Sequence, residues 1–168
     1  KWIRTNSKKK YDVNGDIAKS GKVNEIVLDQ YWDTFRASSP DKKSYDTSDF
    51  DISFAKGLSL EDGAATLTLY TANMFIVNFK TNEKFKDLSK EKTILCGGGR
   101  KNKFLVDIIK SYNKDVKLID DYGIDGDFVE AQAFAYLAIR SYLNLPISFP
   151  KTTGVREPCT GGIIIKNY

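Results

Sequence analysis

The chain has 168 residues, 41% hydrophobic and 29% charged, which suits one globular domain large enough for a real core. Its net charge of +4 is mildly basic and falls well short of a dedicated nucleic-acid binder. It has no histidine, which excludes Ser-His-Asp and Cys-His catalysis within these residues and argues against zinc sites.

The first ten positions carry Lys1, Arg4, Lys8, Lys9 and Lys10, a spacing that reads as a solvated face. From Lys22 to Phe35 the apolar residues Val23, Ile26, Val27, Tyr31 and Phe35 keep helical spacing. Ser38 to Asp51 is polar, contains Pro40, and reads as a loop. Ser59 and Asp62 match a capping box with Asp in place of Glu. Beyond them Ala65, Leu69, Ala72, Ile76 and Phe79 mark the clearest amphipathic helix, whose stripe should be core.

The most informative stretch follows. Thr93–Cys96 is a short apolar run that ends in Gly97-Gly98-Gly99, and a helical pattern with Leu105, Ile108 and Ile109 starts near Asn102. Val116–Ile119 is a second short run. The order strand, glycine turn, helix, strand is that of a βαβ unit with parallel pairing. Three residues without Cβ admit a close approach to the backbone, and the helix start beyond them suits a phosphate. The same glycines are equally readable as a turn that packs helix on sheet. The spacing is neither G-x-x-x-x-G-K-[ST] nor G-x-G-x-x-G. Cys96 is expected at a buried strand end, in a packing role. A last helix is expected from about Asp127 to Leu143, stopped by Pro146 and Pro150, with Ile163-Ile164-Ile165 as a short closing strand.

No apolar run reaches membrane-spanning length. Cys96 and Cys159 are too few for a disulfide framework, and a reducing cytoplasm fits them. Two strands are too few for a stable sheet, which supports reading these residues as part of a longer protein.

Several segments, in order, resemble the anhydro-N-acetylmuramic acid kinase family. They are Tyr11 to Asn24 (Y-D-x-x-G-x-x-A-x-S-G-K-V-N), a degraded loop with Lys43-Ser44 and Asp49-Phe50, and Cys96-Gly97-Gly98-Gly99 with Asn102. V-E-A-x-A-F-A-x-L-A, with Glu130 as its second residue, comes next, followed by N-L-P and a T-G tail. The resemblance covers nearly the whole chain. It implies an α/β fold: the C-terminal lobe of an actin-like ATPase of ribonuclease-H-like type, with an incomplete sheet and flanking helices. On this reading residues 1–168 are a single C-terminal lobe. The N-terminal lobe, with its D-x-G-P-G-N loop and catalytic aspartate, lies outside it.

The resemblance assigns Gly97, Gly98, Gly99 and Asn102 to the nucleotide and Glu130 to the sugar. From the residues alone Asn102 is either an N-cap or a nucleoside contact. Arg100 either stacks on adenine or faces solvent. Glu130 is either a carboxylate favoured by its helix dipole or a substrate ligand. Asp120, Asp121, Asp125 and Asp127 fit no magnesium loop and suit caps and turns.

The implied cofactors are ATP and Mg2+, held mainly by the missing half. No catalytic residue and no metal ligand is assigned here. The implied partners are ATP, the anhydro-muropeptide sugar and the missing N-terminal half, with a homodimer left open and neither nucleic acid nor membrane expected. The implied reaction opens the 1,6-anhydro bridge with water and phosphorylates the freed oxygen, giving N-acetylmuramic acid 6-phosphate in cell-wall recycling; this chain alone should be inactive. A non-catalytic nucleotide-binding or regulatory domain of the same superfamily is the alternative.

Overall fold

The structure, a computed structural model, describes residues 1–38, 50–81 and 92–165, without the side chains of residues 36–38 and 77–81. The Lys43-Ser44 and Asp49 positions, nearly all of the expected loop, and the Phe79 side chain lie outside the described residues. The chain divides into two compact units, Lys1–Leu118 and Ile119–Tyr168.

The first unit contains α1 (Trp2–Asn6), α2 (Asp16–Ser20), α3 (Glu25–Ser38), α4 (Leu60–Thr81), β1 (Thr93–Leu95), α5 (Lys103–Tyr112) and β2 (Val116–Leu118). Helix α4 is its axis and supplies residues to three apolar clusters. Ala64 and Leu67 meet Trp2, Ile3, Ala18 and Ala55. Tyr70 and Met74 meet Leu28 and Trp32. Ala72 and Ile76 meet Ile109 and Val116. The stripe expected from the sequence is core at Ala65, Ala72 and Ile76, but burial extends through Gly63, Ala64, Thr66 and Leu67. A helix surrounded by packing elements needs no polar face along those turns.

Strands β1 and β2 are parallel neighbours, with Thr93, Ile94 and Leu95 opposite Val116, Lys117 and Leu118. The βαβ expectation is met in order and pairing. Each strand is one residue shorter than expected: Cys96 leaves the ladder, and Ile119 opens a 3₁₀ turn, Ile119–Tyr122. Buried Asn113 locks the unit together. Its Nδ2–H donates to Thr93 Oγ1 at 3.0 Å and its Oδ1 accepts from the Asp115 N–H at 2.9 Å.

The Tyr11 to Asn24 motif acquires a physical account position by position. The Asp12 carboxylate accepts the Ile17 and Ala18 N–H groups, both at 2.9 Å, and so caps α2. Ala18 is fully buried. A Cβ on Gly21 would overlap the Glu61 backbone, so α2 ends in close contact with the start of α4. The Lys22 N–H donates to Asp62 at 2.7 Å and the Asn24 N–H to Thr66 Oγ1 at 3.0 Å. Asn24 Oδ1 then accepts the Val27 N–H at 3.0 Å at the head of α3. Ser59 makes its half of the capping box, with Oγ accepting the Asp62 N–H at 3.0 Å. The Asp62 carboxyl is held below its ordinary range by the Lys22 N–H first and the Ser59 hydroxyl second.

The second unit contains α6 (Val129–Tyr142) and the short α7 (Pro150–Thr153). Residues 147–148 pair with Cys159 through Ser148, which exchanges two backbone hydrogen bonds with it at 3.1 Å. Ile163-Ile164-Ile165 is not a strand; Ile163 is 92% exposed. A β-branched run forms a strand only when a neighbouring strand satisfies its backbone groups. Among the described residues no helix is long and apolar enough to cross a membrane.

Candidate functional site

The structure gathers Gly97, Gly98, Gly99 and Asn102 into one turn between β1 and α5. Residues Gly98–Lys101 form a 3₁₀ turn, and the three glycines are exposed. Its shape is fixed by main-chain hydrogen bonds: Arg100 N–H to Gly97 O at 3.3 Å and Asn102 N–H to Gly99 O at 3.0 Å. Arg100 is buried, and its Nη1–H donates to Gly97 O at 3.0 Å. It therefore neither faces solvent nor extends freely over a ligand; its guanidinium braces the turn from beneath. A planar multi-donor group with a long apolar stem suits that role.

Asn102 is the N-cap of α5: its Oδ1 accepts the Leu105 N–H at 3.0 Å. One side of that amide abuts Gly15, where a Cβ would overlap Asn102 Oδ1 and approach Phe104 Cβ to 2.8 Å. Gly15 also has φ +78°, a conformation natural only to glycine. The motif near the N-terminus thus buttresses the cap of the helix that follows the glycine turn. Asn102 also lines a cavity of about 230 Å³ with Trp2, Asp12, Thr68 and Thr71. Sequence reasoning did not place Asp12 or Gly15 beside the turn, because nothing in their local spacing signals a contact nearly ninety positions away.

The three glycines differ in what demands them. Gly97 has φ +77° and ψ 176°, a region open in practice only to glycine. Gly98 and Gly99 have no positive φ. A Cβ on Gly98 would meet nothing within 4 Å, and one on Gly99 only Leu105 Cδ2 at 3.8 Å, an ordinary contact. Close helix–sheet packing therefore does not account for Gly98 or Gly99. Cys96 is exposed, contrary to the buried position expected of it. It follows the last ladder residue of β1 and so stands at the mouth of the sheet beside the turn.

Glu130 lies in the second unit, exposed in the first turn of α6. The N-cap position is Phe128, which supplies no side-chain acceptor, so the carboxylate is the acidic group of that first turn. Two of the nearby aspartates shape the preceding turns. Asp125 Oδ1 accepts the Asp127 N–H at 2.9 Å, and the Asp120 carbonyl accepts the Gly123 N–H at 3.0 Å. Among the described residues no group of three metal-ligating side chains gathers closely enough to hold an ion. At the other end of α6, Arg140 Nε–H donates to Pro146 O at 2.7 Å and Nη1–H to the Tyr136 hydroxyl at 3.2 Å, which ties the helix to the N-L-P segment.

The family model for anhydro-N-acetylmuramic acid kinase matches residues 1–167. A Pelagibacter ubique protein of that name is 47% identical over 171 residues, covering 99% of this chain and 46% of its own length. One from Zymomonas mobilis is 41% identical, covering 97% of this chain and 44% of its own length. One from Caulobacter vibrioides is 40% identical, covering 93% and 41%. The chain spans less than half the length of these curated relatives. It belongs to the anhydro-N-acetylmuramic acid kinase family.

Proposed function

We propose that this member of the family supplies the nucleoside-binding turn and one sugar contact of an ATP-dependent kinase acting on 1,6-anhydro-N-acetylmuramic acid, as the C-terminal lobe of a longer enzyme. The observation that carries the reading is the freedom above Gly98 and Gly99: they are glycines that neither packing nor backbone conformation requires. Close approach by a ligand supplies the missing reason. The braced Gly97 carbonyl and the Asn102 cap hold the turn in one shape before any ligand arrives, which lowers the ordering cost of binding.

The residues fit the adenosine part of ATP through this backbone surface. The ion and the phosphate grip are proposed to lie mainly in polypeptide outside these residues; among the described residues no group of three metal-ligating side chains gathers. In the whole enzyme ATP supplies the phosphoryl group; this chain's task is to hold and orient. The Glu130 carboxylate is proposed to accept a hydrogen bond from a sugar hydroxyl. The cytoplasm is the proposed compartment, in keeping with a metabolic kinase that uses ATP.

The test is a titration of ATP into isotope-labelled protein while the backbone amide resonances are followed. Saturable shifts centred on Gly97 to Asn102 support the reading. Unmoved glycine amides under saturating nucleotide contradict it.

A further inference from the structure

The composition of the glycine turn creates a problem for any ligand it receives. Glycine takes either sign of φ with little steric resistance, so the peptide between Gly97 and Gly98 is free to flip. One orientation presents a carbonyl oxygen to solvent and the other an N–H, and a ligand that fits one is turned away by the other. The structure holds one of them. Gly97 O accepts the Arg100 N–H at 3.3 Å and the Arg100 Nη1–H at 3.0 Å. The first is long for such a bond; the second is charge-assisted, and so about twice as strong as a neutral one. A trans peptide points its N–H opposite to its C=O, and no cis bond occurs among the described residues. With Gly97 O held from beneath, the Gly98 N–H faces the open side of the turn. Gly98 is exposed, and its N–H meets no acceptor among the described residues.

We propose that Arg100 is a positioning residue for the nucleotide. Its buried guanidinium fixes the Gly97–Gly98 peptide with the N–H outward, as the turn's donor to an acceptor atom of the nucleoside. This role rests on the nucleotide reading above and adds to it the group that selects the binding orientation. Two observations separate it from a role in folding alone. The turn is closed without the guanidinium, by the main-chain bonds from Arg100 N–H to Gly97 O and from Asn102 N–H to Gly99 O, and α5 has its own cap in Asn102. Burying a cation is also unfavourable even when it is hydrogen-bonded, yet Arg100 is only 7% exposed beneath three exposed glycines. An apolar side chain of similar length fills the same volume without that penalty. What it lacks is a donor to Gly97 O. When only a fraction of molecules holds the competent orientation, apparent affinity falls by that fraction. Arg100 therefore acts on binding through the population of one peptide orientation, without touching the ligand.

The test compares the isotope-labelled 168-residue chain with its Arg100→Met and Arg100→Lys variants, by amide exchange, resonance position and ATP titration. In the unsubstituted chain the Gly98 amide should exchange rapidly, and saturating ATP should slow it about tenfold or more. The Asn102 amide, bonded to Gly99 O, should be protected in both states. Arg100→Met keeps an apolar stem and removes the donor. Its Gly97 carbonyl-carbon and Gly98 amide resonances should shift while those of Val106 and Ile109 in α5 stay in place, and ATP affinity should fall about tenfold or more. Arg100→Lys restores a charged donor of poorer geometry, and its affinity should fall between the other two. Equal ATP affinity in all three proteins overturns the proposal and leaves the nucleotide reading standing. A loss of affinity that comes with displaced resonances throughout α5 overturns it too, because Arg100 would then serve the fold. So does a Gly98 amide already protected without nucleotide, whatever the variants do. The absence of any ATP response in the unsubstituted chain contradicts the nucleotide reading itself, and the role of Arg100 with it.

Discussion

Two sets of glycines in the first unit differ in what surrounds them. Gly15, Gly21 and Gly63 are pressed against other elements: Gly15 against the Asn102 side chain, Gly21 against the Glu61 backbone, Gly63 against the Trp2 ring. Gly98 looks out on open space, and a Cβ on Gly99 would make only an ordinary contact with Leu105. The first set is glycine because protein occupies the volume of a Cβ. The second is glycine where no part of the described chain claims that volume. The same absent atom thus serves assembly of the helices in one region and, on the function proposed above, ligand approach in the other, and substitution by alanine separates the two.

The largest effect is expected at Gly21. Gly21→Ala forces α2 away from the backbone at the start of α4, which side-chain rotation cannot relieve. Destabilisation of about 3 kcal/mol is expected, with loss of the Lys22–Asp62 hydrogen bond. Gly63→Ala displaces a ring whose Nε1–H donates to Leu60 O at 2.9 Å, and should cost about 2 kcal/mol. Chemical denaturation checks both, and an unchanged midpoint in either would remove the packing half of the comparison.

Glu130 extends the test to the second unit. On the proposed sugar-binding role, Glu130→Gln in a longer enzyme that carries this chain removes a charged hydrogen-bond acceptor worth about 1.5–3 kcal/mol, so kcat/KM for the sugar should fall roughly ten- to a hundredfold. ATP affinity without sugar should barely change. A large fall in melting temperature with normal kinetics would mean that the carboxylate serves only its helix.

Smaller effects separate the neighbours within the turn. Gly97→Ala meets a forbidden backbone conformation and should lose about 1–3 kcal/mol. Gly98→Ala meets neither strain nor a neighbour and should stabilise by about 0.4–1 kcal/mol through the unfolded state. Opposite signs at adjacent residues, read by thermal melting, sharpen the comparison; equal losses break it.

The smallest expected effect is the pH dependence at Asp62. Its folded carboxyl lies below the ordinary value of 3.8, so its contribution is complete above that value and is lost as pH falls through the folded one. Asp62→Asn should remove that part of the acid destabilisation. Identical acid profiles for the two proteins would contradict the assignment.

The parts of the fold that were legible in the sequence are those written in local periodicity. The order of β1, the glycine turn, α5 and β2 follows from an apolar run, a break, a helical stripe and a second run, and Asn102 advertises its cap. What was illegible depends on remote neighbours. The burial of Arg100 arises because its guanidinium reaches Gly97 O, and a run of letters shows only a cation. Cys96 was misplaced because burial at a strand end depends on how many strands flank it, and among the described residues the sheet has two. Ile163 to Ile165 have no strand partner among the described residues. The roles of Gly21 and Gly63 are set entirely by tertiary contact. The place of the glycine turn between β1 and α5 was legible, but the distinction between Gly97, which its backbone conformation requires, and Gly98, which no contact requires, was not.

The most direct test of the central claim is the ATP affinity of Gly98→Val, measured by calorimetry beside its melting temperature. A branched side chain there enters open space in the unliganded protein and the volume a ligand would fill. The melting temperature should therefore stay near that of the unsubstituted chain, and ATP affinity should fall by about tenfold or more. A folded Gly98→Val protein that binds ATP with unchanged affinity would contradict the claim and leave the glycine turn a connection between β1 and α5.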